Sequence, residues 1–372
     1  MFDSDNTHMD KTTAPGVLGR QTAIVGSCNG NLEITNDAPV PQLKDDMVLV
    51  SVTAVALNPV DNKMQGRLIT PGAIAGHDFS GTVLALGSKT ATLTPAPLAV
   101  GDRVCSAVQG MHGLTPAVGA FAHIVGASAH ACLKVPETIS DLQAASLGTA
   151  VATMGLALFK SLGIPGHPEA PITEGKGRHI LIYGASSSVG TMAVQLAKLS
   201  GMVVIGTCSQ KNFDLVKSYG ADAVFDYKSK TCVQDIKDYT RHSLKFALDC
   251  ISEVDTMAFC YACLGRTGGK YTRLEPFPDV LHTRKHTVTP DWVLGPSMHG
   301  KPISWPPPFE RDADVEVREF AVKWFATVQR LLDEGKLRPH PVRVIEGFPA
   351  ILEGLQTLKR NALSGEKLVV QL

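Results

Sequence analysis

At 372 residues, 44% hydrophobic and 19% charged, the chain has ordinary globular composition and enough length for two cores. Its 35 Lys and Arg offset 35 Asp and Glu without any basic cluster, which disfavours nucleic acid or an anionic membrane and suits a small or protein-borne substrate. No uninterrupted apolar run approaches the ~20 residues of a membrane span. The first 15 residues are polar and unlike a signal peptide, and eight scattered cysteines read as reduced, buried thiols, so a cytosolic protein with a short disordered N-terminus is expected.

From residue 21 to 58 three strands are predicted, QTAIVG, NLEITND and DMVLVSVTAVALN, separated by the Asn29-Gly30 turn and a loop from Pro39 to Asp46. The third ends in the turn residues Asn58-Pro59-Val60-Asp61-Asn62-Lys63, which bring two amides, an acid and an amine into one loop; such a loop lines a cleft or is merely a solvated turn. Gly76-His77-Asp78-Phe79-Ser80-Gly81 precedes a strand from Thr82 to Leu86, and Gly101-Asp102-Arg103-Val104 turns into another. His77 beside Asp78 invites a metal reading, but a catalytic zinc takes about three N, S or O ligands, and no cysteine lies near Asn58. The closely spaced cysteine quartet of a structural zinc site is also missing between 85 and 130. No metal is therefore expected.

Pro116 to Val135 reads as further sheet, and Ile139-Ser140 caps the helical run SDLQAASLGTAVATMGLALFKSL, in which Thr149 and Thr153 share one face. A Pro- and Gly-rich linker from Gly163 to Gly177 follows. Then the texture becomes periodic. HILIY, VVIGT, AVFDY and FALDC are each followed by a helical segment, and GGKYTRL comes next; four such units predict a parallel, doubly wound sheet. Between the first strand and its helix lies Gly184-Ala185-Ser186-Ser187-Ser188-Val189-Gly190, a small-residue turn at a helix N-terminus, where unpaired N–H groups and the helix dipole favour a pyrophosphate. Alone, that turn is equally a tight connection; the units behind it favour the phosphate.

The second strand ends in Thr207-Cys208-Ser209-Gln210-Lys211-Asn212, without the acid that would hold a ribose 2′-hydroxyl. Ser209 and Lys211 suit a 2′-phosphate, hence NADPH, unless Lys211 is simply solvated. Asp291 to Arg311, with Trp292, Trp305 and three consecutive prolines, is irregular and forms either a pocket wall or a surface loop. A helix from Val315 to Glu334, a strand from Val342 to Ile345, a helix from Pro349 to Arg360 and a strand from Lys367 to Leu372 complete the chain, and this end is expected to return to the first domain.

NPVD at 58–61, GHDFSGTV at 76–83, GDRV at 101–104, GASSSVGTMAVQLAK at 184–198 and SGEKLVV at 364–370 together resemble the zinc-free, quinone oxidoreductase-like branch of the medium-chain dehydrogenase/reductases. NPVDNKMQG, CSQKNFDLVKSYGADAVFDY, ALDCI and TPDWVLGPSMHG look most like the stand-alone enoyl reductases that serve fungal polyketide synthases in trans. The resemblance implies an α/β fold: a GroES-like β-rich domain over 1–156 and 335–372, and a Rossmann doubly wound domain over 157–334 with NADPH in the cleft between them. Val60, Asp61, Asn62 and Lys63 would touch the cofactor; Ser186, Ser187, Ser188 and Val189 its pyrophosphate; Ser209, Gln210, Lys211, Asn212 and Tyr227 its 2′-phosphate. Leu274 and Glu275 would border it, and Leu363 and Ser364 close over it. Substrate would meet Thr153, Met154, Gly155, Leu156, Ala157, Leu158, Phe159 and Lys160 on one side and Gly295, Pro296, Ser297, Met298 and His299 on the other, with Lys63 and Thr153 as the catalytic pair. One departure is that Ser187 and Ser188 stand where the family more usually has glycines.

The implied reaction is hydride transfer from NADPH to the β-carbon of an enoyl thioester borne by the acyl carrier domain of an iterative polyketide synthase, in secondary-metabolite biosynthesis. An electrostatic partner for the enolate oxygen matters more there than a nucleophile. Lys63 is that partner or a proton donor, Thr153 orients the nicotinamide amide or the thioester, and water is an equal source of the α-proton. The alternatives are a quinone or enone reductase acting on free small molecules and a non-catalytic NADPH-binding protein. The proline-rich segment after Trp305 lies near the expected sheet edge and blunts it, so a monomer is favoured.

Overall fold

The computed structural model describes residues 19–173, 178–277, 284 and 286–372. The expected disordered N-terminus and the last four residues of the 163–177 linker lie outside the described residues.

β1 (Arg20–Gly26) and β2 (Leu32–Pro39) form an antiparallel hairpin. β3 (Met47–Ala56) is apolar on both faces: Val48, Val50, Val52 and Val55 enter one core cluster, while Ala54 and Ala56 enter another. That is why it lies inside its sheet rather than at an edge. Where the sequence predicts a turn after it, the chain forms one helical turn, α1 (Pro59–Lys63). Pro59 presets the helical φ at the first position, and the Asp61 carboxylate accepts from the Asn58 backbone N–H at 2.7 Å, so polar residues that read as a loop close a helix start instead. β4 (Asp78–Leu86) begins four residues before the predicted strand, and β5 (Arg103–Ala107) follows. The sheet expected over 116–135 reduces to β6 (Ile124–Ser128) and β7 (Leu133–Lys134).

Ser140 Oγ accepts from Gln143 N and so caps α2 (Asp141–Ala144); α3 (Gly148–Gly155) then runs on into a π-helical turn, Leu156–Ser161. The whole 21-residue run Asp141–Ser161 is long and apolar enough to cross a membrane, but 78% of its most apolar stretch is buried inside the protein, as befits a core helix.

β8 (His179–Tyr183), α4 (Ser188–Leu199), β9 (Val203–Cys208), α5 (Phe213–Ser218), β10 (Ala223–Asp226), α6 (Cys232–Tyr239), β11 (Phe246–Asp249), α7 (Val254–Cys263) and β12 (Gly269–Arg273) alternate as predicted, and β13 (Val288–Trp292) adds a sixth parallel strand. The order is β10-β9-β8-β11-β12-β13. Along β8, Ile180 and Ile182 pack into one cluster and Leu181 into another, so both faces are buried under helices. β13 reads poorly in sequence because its middle three residues, Thr289, Pro290 and Asp291, are exposed. It is the edge of this sheet, so the proline within the edge strand is Pro290, whereas Trp305 ahead of the proline run is buried beside the cleft.

α8 (Val315–Asp333) is N-capped by Asp314, which accepts from Val317 N at 2.9 Å. β14 (Val342–Glu346), α9 (Gly347–Lys359) and β15 (Lys367–Gln371) end the chain. β15 pairs antiparallel with β3 and parallel with β14, so the C-terminus completes the first sheet, ordered β14-β15-β3-β4-β5-β7 with β6 beside β3.

Candidate active site

The chain order of the parallel sheet reverses between β8 and β11. In such sheets the crevice beyond the strand C-termini at the reversal is the general ligand site. Here it opens into a cleft of about 190 Å³, partly open to solvent, walled on the other side by residues of the first sheet and α1.

The floor rests on buried, paired charges. The Asp61 carboxylate, 2% exposed, accepts from His77 Nδ1 at 2.6 Å as well as from Asn58 N. Asp78 accepts from Asn58 Nδ2 (2.9 Å), Thr149 N (2.6 Å) and Lys367 Nζ (3.1 Å), and Lys367 also donates to Asn58 Oδ1 (2.6 Å). Burying these charges is tolerable only because nearly every polar atom finds a partner. The consequence for α1 is that Asp61 faces inward, Asn62 Nδ2 donates to the Leu355 carbonyl of α9, and Lys63 turns outward to pair with Glu275 beyond β12. Val60 and Lys63 line the cleft.

The opposite wall carries the small-residue turn. A Cβ at Gly190 would stand 2.3 Å from the Gly184 carbonyl oxygen, so only glycine lets α4 pack this closely on the turn. Ser187 caps α4: its Oγ accepts from Gly190 N at 3.1 Å and donates to Gly184 O at 2.8 Å. Its single hydroxyl proton is therefore used locally. Ser188 Oγ is buried without a partner, and Val189 lines the cleft. Asn212 is the hub beside them, donating to Ser364 Oγ at 2.9 Å, Ser186 Oγ at 3.2 Å and Ser209 Oγ at 3.5 Å. Gln210 and Lys211 are exposed next to this hub, and Tyr227 lies 5.9 Å from the Tyr183 ring at the end of β8. Leu363 is half-buried against the first core. The tight turn, the helix N-terminus behind it and an orphan hydroxyl together fit the pyrophosphate of a dinucleotide.

Of the helical stretch 153–160, Thr153 alone lines the cleft, with its Oγ1 facing Gly295. A helix presents only one residue in three or four to a given surface. Met154, Leu156, Ala157 and Leu158 enter the core, Gly155 packs on the Trp324 indole, Phe159 packs against the Trp324 ring, and Lys160 sits over Phe320. Gly295, Pro296, Met298 and His299 do line the cleft; the Ser297 hydroxyl instead donates to Leu294 O. Desolvation first, then nearby cations, push the His299 imidazole down to about 3, so it is neutral. Leu274 and Glu275 form the lip with Cys250, Ile251 and Ser252, and burial holds the Cys250 thiol protonated. Val293 and Phe309 line the cleft, so the segment Asp291–Arg311, read as pocket wall or surface loop, supplies wall; sequence reasoning missed Phe325, which carries no local signal, and weighed His77 only as a metal ligand. Trp305 forms pocket wall.

Residues 44–137 match the family described as alcohol dehydrogenase GroES-like domain, and 188–272 that described as zinc-binding dehydrogenase. Among the described residues no group of three or more His, Cys, Asp or Glu is placed to hold a metal, so a zinc has no donor set there. The chain is 59% identical over 349 residues to a trans-enoyl reductase of Gibberella zeae, covering 94% of this chain and 96% of that one. It is 47% identical to a trans-enoyl reductase of Fusarium sp., covering 96% of this chain and all of the relative, and 45% identical to one of Petromyces alliaceus, covering 94% and 96%. Among solved structures, the CurK enoyl reductase superposes with a TM-score of 0.70 at 16% identity, covering 95% of this chain and 99% of that one. A putative zinc-dependent alcohol dehydrogenase of Rhizobium etli gives 0.75 at 23% identity over 95% and 98%; at such identities these two speak for the fold.

Proposed function

The chain belongs to the medium-chain dehydrogenase/reductase family, among its fungal trans-enoyl reductases, and from that premise we propose that it uses NADPH to reduce an α,β-unsaturated thioester carried on the acyl carrier domain of an iterative polyketide synthase. It is an oxidoreductase with a nicotinamide cofactor. The observation that supports this is the cleft itself: a largely apolar trough at the sheet's reversal point, with the Lys63 amine at its lip and the Thr153 hydroxyl on its wall.

When bound, the reduced nicotinamide supplies a hydride to the β-carbon. The chain's own groups hold and polarise what receives it. Ser186, Ser188, Val189 and the first N–H groups of α4 take the pyrophosphate, while Ser209, Lys211, Asn212 and Tyr227 take the 2′-phosphate, with Ser364 closing over them. Lys63, tethered by Glu275, balances negative charge developing on the thioester oxygen, and Thr153 orients the carbonyl group. Val108, Val293, Leu294, Trp305 and Phe309 exclude water from an acyl chain.

Purified protein, an enoyl thioester on an acyl carrier domain and either NADPH or NADH test this. Saturated thioester should form at least tenfold faster with NADPH, and Lys211→Glu should erase that preference. Rapid quinone reduction without thioester reduction would refute the substrate assignment.

A further inference from the structure

We propose that His77, held by Asp61, is the acid that delivers the α-proton in the thioester reduction, an inference that rests on the reading above. The cleft contains one buried titratable side chain with a free polar atom and an anionic partner behind it. His77 is 2% exposed and lines the cleft; its Nδ1 meets the Asp61 carboxylate at 2.6 Å, and its Nε2 has no hydrogen-bond partner. Asp61 as a carboxylate can only accept, from Asn58 N and from His77 Nδ1, so the proton of the imidazole sits on Nδ1. The free nitrogen is thereby Nε2.

Other ionisable groups surround it. Asp78 on β4 is neutralised by Lys367 from β15; His299, from the segment after β13, is within electrostatic reach of it, His112 lies on the Trp305 ring that also packs on His77, and Lys63 points away to Glu275. Trp305 packs edge-on at 6.0 Å between ring centroids and keeps solvent off the ring. A buried, oriented acid of this kind explains why Asn58, Asp61 and His77 are locked together although none of the three makes the floor more apolar.

As the β-carbon accepts hydride from NADPH, the C=C electron pair moves to the α-carbon and thioester oxygen. Nε2 of the His77 imidazolium gives its proton to the α-carbon, leaving NADP⁺, saturated thioester and a neutral imidazole whose Nδ1–H remains on Asp61. Solvent reprotonates Nε2 once the cleft opens.

Three readouts test the assignment. In cofactor-free protein labelled with ¹⁵N-histidine, the resonance lost in His77→Gln should show Nδ1 protonated throughout and Nε2 gaining a proton within the pH range of turnover. An Nε2 that never protonates there overturns the proposal. With an α-methyl enoyl thioester in D2O, wild type should place deuterium at the α-carbon in a single configuration. His77→Gln should lower kcat about 100-fold, the lower range for loss of a general acid, and mix that configuration while NADPH affinity stays within about twofold. Wild-type kcat with one configuration refutes it. Should His77→Gln lose NADPH binding through misfolding, Asp61→Asn decides: kcat should fall and the α-carbon configuration should mix, and wild-type kcat with a single configuration refutes the proposal. If wild type binds NADPH yet reduces no thioester, the substrate reading fails, whereas the histidine titration still reads the dyad.

Discussion

Lys63 on α1 and Glu275 beyond β12, 212 positions apart, form an ion pair across the mouth of the cleft. It joins the two sheets at the lip of the cleft. Because both side chains are partly solvated, their coupling in thermal stability should stay below about 1 kcal/mol. Lys63→Ala should nevertheless lower kcat at least tenfold, and Glu275→Gln should raise the KM for NADPH more than it lowers kcat. A double-mutant cycle read in both stability and steady-state kinetics separates the two effects; equal losses in both would mean the pair is only structural.

Asn212 brings together side chains from three separated stretches, Ser186, Ser209 and Ser364. Asn212→Ala should weaken NADPH binding about tenfold by calorimetry and weaken NADH binding less, since the hub borders the proposed 2′-phosphate site. Unchanged NADPH affinity would remove the hub from the cofactor site.

Ser187 and Ser188 differ in what their hydroxyls do. Ser187 caps α4, so Ser187→Ala should cost about 1 kcal/mol in chemical denaturation, while glycine there costs only a few tenths. Ser188 Oγ is buried and unpartnered, so Ser188→Gly should lower NADPH affinity with little change in stability of the free protein. The reverse pattern would exchange the two roles.

Gly155 lies directly on Trp324: an added Cβ would stand 2.4 Å from the indole Nε1, which itself donates to Val151 O. Gly155→Ala should destabilise by about 1–3 kcal/mol through overpacking and leave the KM of the surviving folded enzyme for thioester within about twofold. A large KM change without loss of stability would return this part of the helix to the substrate site.

Burial holds the His340 imidazole down to about 4, with Lys367 as the second cause, and His299 to about 3. Both are neutral in the native state and take up protons more readily once unfolded. Their contribution is therefore complete above the unfolded value of about 6.5 and is lost as pH falls from there toward the native values. Urea unfolding should weaken on acidification below pH 6.5, and His340→Gln should flatten the slope by about one proton, or ~1.4 kcal/mol per pH unit.

What is legible locally is what has a local cause. Burial on both faces makes HILIY and VVIGT continuous apolar runs, and both form strands of the parallel sheet. The alternation of strand and helix that follows predicts the doubly wound sheet, and the strand-rich C-terminus predicts the return to the first sheet. Side-chain destinations are a different matter. Nothing local in Asn58–Lys63 says that Asp61 turns in toward His77 while Lys63 turns out to Glu275, since both partners arrive from other elements. Likewise the helix 153–160 is apolar all round, so only the packing of Trp324 against one face leaves Thr153 for the cleft. β13 is a strand because β12 offers it a free edge, not because Val-Thr-Pro-Asp-Trp favours one. The sequence by itself determined the alternation of strand and helix in the parallel sheet and the nicotinamide chemistry it suits; the tertiary structure decided the remaining elements and which side chains meet, because those meetings join residues up to some three hundred positions apart.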